Sequence, residues 1–185
     1  MKLKERNFAV EEETSKEIAV TISEYLFDFN KRKKKNKKIG EPIIVCVGTD
    51  LAIFDALGPL CGTLLKEKMP NVTLYGNLDF LQTAKNIRQT KTRLKRDYRN
   101  RPIIAIDAAT TDEKNIGTII VRNQPLRPGT GAGKNLGNIG DVTVFGLTMC
   151  GYEWRDSSIR LGVVYSMAKS ISDGVAIFLK EWKKK

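Results

Sequence analysis

Residues 43–59 constrain this chain more than any other stretch. Ile43-Ile44-Val45-Cys46-Val47 is a continuous apolar run rich in β-branched side chains. Such a run offers water no polar face, so it predicts a strand covered on both sides, as in a largely parallel sheet. Gly48 breaks the run, two carboxylates follow at Asp50 and Asp55, and an apolar helical pattern resumes at Leu57. A second apolar run, Ile103-Ile104-Ala105-Ile106, also ends on a carboxylate, Asp107. Acids therefore stand immediately past the ends of two strands that need burial.

The remaining periodicities supply helices to cover such a sheet. Ile18, Ile22, Tyr25 or Leu26, and Phe29 recur at helical spacing from Thr14 or Ser15, and Thr14 with Glu17 fits a capping box. Residues 57–69 read as a helix with Leu57, Leu60, Leu64 and Leu65 inward, and 72–75 as a short strand. Residues 80–98 read as a second crossover helix with Leu81, Ala84, Ile87, Leu94 and Tyr98 inward and a basic outer face. Strands follow at 117–121 and 142–147. Ser157 or Ser158 is placed to cap a last helix running through Leu161 to Leu179. Helices alternating with strands imply a three-layer α/β/α sandwich around a mostly parallel five-stranded sheet. One α/β domain over 1–185 is expected, with an N-terminal helix and basic loop over 1–41 and the core over 42–182.

Composition limits the function classes. The formal charge is +11, but seven of the eight residues 31–38 are Lys or Arg, and three lysines close the chain. A basic run of this kind either binds an anionic partner or is a solvated loop. Nucleic acid is possible but not favoured, because no recognition motif accompanies the charge. Absence of histidine removes the commonest general base and transition-metal ligand. Cys46, Cys61 and Cys150 are odd in number, lie in apolar surroundings and lack paired spacing, which suggests reduced thiols in a cytoplasmic protein. No signal peptide is visible, and no apolar stretch approaches the ~18 residues that span a bilayer, so no membrane is expected.

In doubly wound sheets the first strand commonly lies between the second and third, and ligands bind where their connections part. That rule puts the loop carrying Asp50 and Asp55 beside the strand end carrying Asp107. Adjacent strands lie ~4.8 Å apart, close enough for two carboxylates to share a proton and act as general base and general acid. On the residues alone, the alternative for each aspartate is a loop or helix cap, and for Asp55, just before a helix, the capping reading is the stronger one. Pro125-Leu126-Arg127-Pro128-Gly129-Thr130-Gly131-Ala132-Gly133-Lys134-Asn135 lacks the Walker pattern and reads as a substrate-lining loop or a surface turn. Asp50, Asp55, Asp79 and Asp107 have no spacing that demands a metal.

Together, Gly48-Thr49-Asp50, Asp55-Ala56-Leu57-Gly58-Pro59, Ile106-Asp107-Ala108 and Arg127-Pro128-Gly129-Thr130-Gly131-Ala132-Gly133 resemble the YyaC family of sporulation proteins, from about residue 42 to 179. That family resembles the spore germination protease and, more distantly, the hydrogenase maturation proteases, which share the α/β/α fold. The resemblance implies catalytic roles for Asp55 and Asp107, a spore protein or peptide as substrate, and a place in the cytoplasm of the sporulating cell or spore. Asp50, Arg127, Gly129, Gly131, Gly133 and Lys134 would then contact substrate, with backbone N–H groups of the glycine-rich loop facing a developing oxyanion. The hydrogenase proteases hold metal with acidic residues and His; here Ala56 stands at the first position and there is no His, so no metal and no cofactor is expected. The reading is a sporulation-associated, peptidase-like hydrolase with an aspartate pair. Its alternative is a catalytically silent sporulation protein that binds a protein or anionic partner. The oligomeric state is left open.

Overall fold

The structure, a computed structural model, describes residues 3–32, 39–130, 133, 135–150 and 159–184. Its elements are β1 (Glu5–Phe8), α1 (Thr14–Arg32), β2 (Ile43–Cys46), α2 (Leu57–Lys68), β3 (Leu74–Tyr75), α3 (Ile87–Asp97), β4 (Ile103–Thr111), β5 (Ile119–Arg122), β6 (Val142–Cys150) and α4 (Leu161–Trp182). Six strands form one sheet in the order β1-β5-β6-β4-β2-β3. β3, β2, β4 and β6 run parallel, while β5 is antiparallel to both of its neighbours. The sheet is thus mixed and mostly parallel, with six strands where five were expected. β1 is the addition. It is an edge strand whose Glu5, Arg6 and Asn7 are exposed, so it carries no apolar signal.

β2 is buried along its whole length, as its unbroken apolar run requires. Ile44, Cys46, Ile104, Ile106, Val142 and Val144 pack with α1, α2 and α4 on one face. Ile43, Val45, Val47 and Ala105 pack on the other with Ile87 and Leu94 of α3 and with Leu126 and Ile139. The N-terminal segment joins the same sheet and core, through β1 and through Ile18, Ile22 and Leu26 of α1. The Thr14 hydroxyl donates to the Ala9 carbonyl at 2.6 Å and accepts from the Glu11 N–H at 2.9 Å, so it anchors the incoming chain.

Several boundaries differ from the sequence reading. α3 begins at Ile87 because residue 82 is held extended: Gln82 bridges Val47 in parallel, and its carbonyl accepts from Gly48 N–H at 2.9 Å. A helix from residue 80 would forfeit both contacts. α4 begins at Leu161 with Arg160 as N-cap; Ser157 and Ser158 lie outside the described residues. The first two residues of the basic run, 31 and 32, end α1, and 33–38 also lie outside. Cys46 and Cys61 are buried, which pushes both thiols up, whereas Cys150 is exposed at the end of β6 rather than in apolar surroundings.

α4 corrects one further expectation. It is 22 residues long and, among the described helices, apolar enough to cross a membrane by length and composition. Its apolar residues have another explanation: Val164, Met167, Ala168, Ile171, Val175 and Phe178 are buried in the core it shares with α1 and α2.

α2 lies so close to the sheet that Gly58 has no room for a side chain. A Cβ there would fall among the backbone atoms of Val47, 2.8 Å from its carbonyl carbon and 2.9 Å from its nitrogen. Gly58→Ala is expected to destabilise the fold by about 1–3 kcal/mol in urea unfolding, as overpacking does where backbone must shift.

Candidate active site at the carboxyl edge of the sheet

β2 and β4 pair in register from Ile43↔Ile103 to Cys46↔Ile106, so the next step brings Val47 opposite Asp107. Val47 N–H still donates to the Ile106 carbonyl at 2.8 Å. The chain then leaves the sheet at Gly48, whose φ of +143° is readily adopted only by glycine. A compact turn follows and closes in a 3-10 turn over Ile53–Asp55. Thr49 N–H, one residue past Gly48, reaches both the carbonyl oxygen of Asp55 at 3.2 Å and its carboxyl Oδ2 at 3.1 Å. Asp55 is thereby folded back onto the exit of β2. The 3-10 turn packs against β4, β6 and α4. Thr148 of β6, fully buried, fixes it there by donating its hydroxyl to the Phe54 carbonyl at 2.7 Å.

These contacts answer the capping reading of Asp55. Ala56 is the N-cap of α2, and no side-chain hydrogen bond caps that helix. The Asp55 carboxyl serves the turn instead. Asp107 accepts from the Ala108 N–H at 2.9 Å, and a register shift in the β4–β6 pairing follows between Ala109 and Thr110.

Burial is the main influence on both acids. It raises Asp55 from 3.8 to about 6, against the opposing pull of the Thr49 N–H bond. Asp107 is raised well above the carboxylate range, first by burial and then by the negative charge of Asp55; its bond from Ala108 N–H acts the other way. The two acids are thus in one electrostatic environment. Asp107 does not raise Asp55 in return. Two neighbouring carboxyls raised in this way can share a proton, one ionised while the other stays protonated.

The other residues singled out in the sequence are more dispersed. Asp50 is exposed in the turn, and Arg127 is exposed in its loop. Gly129 and Gly133 take φ of +78° and +66°; Gly131 and Lys134 lie outside the described residues. The loop runs along α3, where the Asn135 carbonyl accepts from Arg88 at 3.3 Å and the Leu136 carbonyl from Lys91 at 2.7 Å. Among the described residues no hydrogen bond or ion pair joins it to Asp55 or Asp107, and no group of three or more Cys, Asp or Glu is arranged around a metal position. Thr49, Gln82 and Thr148 were not singled out. Thr148 did carry a signal: it is a hydroxyl inside the apolar β6 run, where a buried donor needs a partner.

A family model described as a protein of unknown function (DUF1256) matches residues 9–174. The chain is also 31% identical over 153 residues to the uncharacterized protein YyaC of Bacillus subtilis (strain 168), which covers 80% of this chain and 75% of that protein.

Proposed function

This chain belongs to the DUF1256 family, together with a YyaC-type relative, and from its acid pair we propose that it is a peptidase-like hydrolase acting on a spore protein. One observation carries the proposal: Asp55 and Asp107 follow the ends of the paired parallel strands β2 and β4, burial raises both, and the Asp55 charge acts on Asp107, so that one can be ionised while the other is protonated. That is the division of labour water attack on an amide requires. Asp55 takes a proton from water as the water oxygen bonds to the amide carbon. The Asp107 carboxylic acid gives its proton to the departing nitrogen as the C–N bond breaks. Water then returns a proton to Asp107 and removes one from Asp55. The motif resemblance to the germination protease supports an amide, rather than another ester-like bond, as the target.

The direct test is incubation of the purified protein with spore extract, reading new peptide termini by mass spectrometry. Asp-dependent termini support the reading; a protein that produces none between about pH 4 and about pH 8 rejects it. The rate is expected to fall about tenfold per pH unit below about 6, as Asp55 takes up its proton. It is expected to fall again at higher pH, once Asp107 loses its own.

A second reading draws on α3. Arg88 and Lys95 are exposed on it, with Lys85 exposed just before its start, and Lys91 is lowered by burial and then by Lys95 and Arg88. Such mutually repelling cations suit a catalytically silent protein that holds an anionic partner. Steep salt dependence of association, abolished in an Arg88→Gln/Lys95→Gln variant, would favour it.

A further inference from the structure

We propose that Leu51, Ile53, Leu78 and Phe80 form the recognition rim of the acid pair, taking an extended polypeptide by a large apolar side chain beside the scissile bond. The inference rests on the hydrolase reading and adds the class of substrate that reading leaves open.

Large apolar side chains turned to water are the observation that needs explaining. Leu51 is 91% exposed and Phe80 79% exposed, with Ile53 and Leu78 also exposed. Nothing in local folding asks for them, because turns at a sheet edge are ordinarily polar. All four lie on the two loops that leave neighbouring strands β2 and β3 at their carboxyl ends, the edge that carries Asp55 and Asp107.

Neither loop is loosely attached. Phe80 N–H donates to Asn77 Oδ1 at 2.9 Å, and the Phe80 carbonyl accepts from Asn77 N–H at 3.2 Å. Leu78 N–H donates to the Thr63 hydroxyl on α2 at 3.0 Å. Gly48 N–H ties the Gln82 carbonyl to the start of the acid-bearing turn. Leu51 N–H donates to the Thr49 hydroxyl at 3.3 Å, and Thr49 N–H in turn holds the Asp55 carboxyl. The Phe80 loop is thus tied at Gln82 to Gly48, the residue next to Thr49, whose N–H holds the Asp55 carboxyl. Fixed backbones with apolar side chains pointing outward lose little freedom on binding, which favours an apolar occupant. The occupant is a polypeptide because the bond proposed for cleavage is an amide, and Leu51 and Ile53 lie on the same turn as Asp55.

The test uses the full-length protein, a pool of tryptic peptides as substrate, and a Leu51→Ser/Phe80→Ser variant. Wild-type cleavage sites are expected to carry Leu, Ile, Val, Met or Phe beside the scissile bond. For one apolar model peptide, the variant is expected to raise KM about tenfold or more, as loss of apolar burial does, and to lose the sequence preference. Wild-type cleavage without apolar preference, or an unchanged preference in the variant, overturns the rim and leaves the hydrolase reading standing. Should wild type cleave nothing, binding of the fluorescein-labelled peptide to Asp107→Asn protein still decides: binding lost in the added Leu51→Ser/Phe80→Ser changes supports the rim, and binding that persists or never occurs overturns it. Concentration-dependent dimerisation abolished by the same two changes would assign these side chains to a second copy instead, and would also overturn it.

Discussion

Asp55→Asn is expected to stabilise the fold at neutral pH by about 3 kcal/mol, and the gain is expected to vanish in acid. Asp55 is raised from 3.8 to about 6 by burial, and each tenfold change in proton affinity corresponds to about 1.4 kcal/mol. The sign follows from proton counting. Between about pH 4 and about pH 6 the folded protein holds a proton on Asp55 that the unfolded chain has released, so stability falls as pH rises through that window. Below it the penalty is absent; above it the penalty is complete. Asparagine keeps the shape and an oxygen that can still accept from Thr49 N–H, but never ionises. It also removes the charge that raises Asp107. Urea unfolding of wild type and variant at pH 7.5 and again near pH 4 measures the difference directly. Equal stability at both values would mean that burial does not oppress this carboxylate.

Asp107→Asn is expected to lower hydrolysis by about 10²–10⁴-fold, the usual contribution of a positioned general acid. The amide of asparagine has no proton acidic enough for the departing nitrogen, while the backbone contact to Ala108 N–H can be kept. The fold is expected to persist and to gain stability, because Asp107 is raised by burial like its neighbour. Loss of rate with gain of stability is the signature of a group retained for chemistry. Loss of both would assign Asp107 a structural role. The rate at saturating substrate separates the step at issue from binding.

The legible parts of this fold are those in which local pattern and tertiary demand agree. β2 and the first half of β4 stand out because both faces are covered, which leaves no polar position in 43–47 or 103–106. β1 is hidden for the opposite reason: an exposed edge strand of Glu, Arg and Asn satisfies its backbone in the sheet without needing apolar side chains. The start of α3 is hidden because the extended backbone at Gln82 is imposed by Val47 and Gly48, which are distant in the chain. For the candidate site, the placement of acids at two strand ends follows from the runs that precede them. Which acid ionises first does not, because burial and the reach of Asp55 to Asp107 exist only once the turn has closed. Whether Asp55 caps α2 likewise needed the Thr49 contact and the Ala56 cap to settle it.

The measurement closest to the central claim is a carbon-13 NMR titration of the two carboxyl groups in wild type and in Asp55→Asn. The expected result is Asp55 titrating near about 6, Asp107 raised well above the ordinary Asp range, and a downward move of Asp107 once the Asp55 charge is gone. Two carboxyls near the ordinary Asp range, with Asp107 indifferent to the Asp55 substitution, would contradict it.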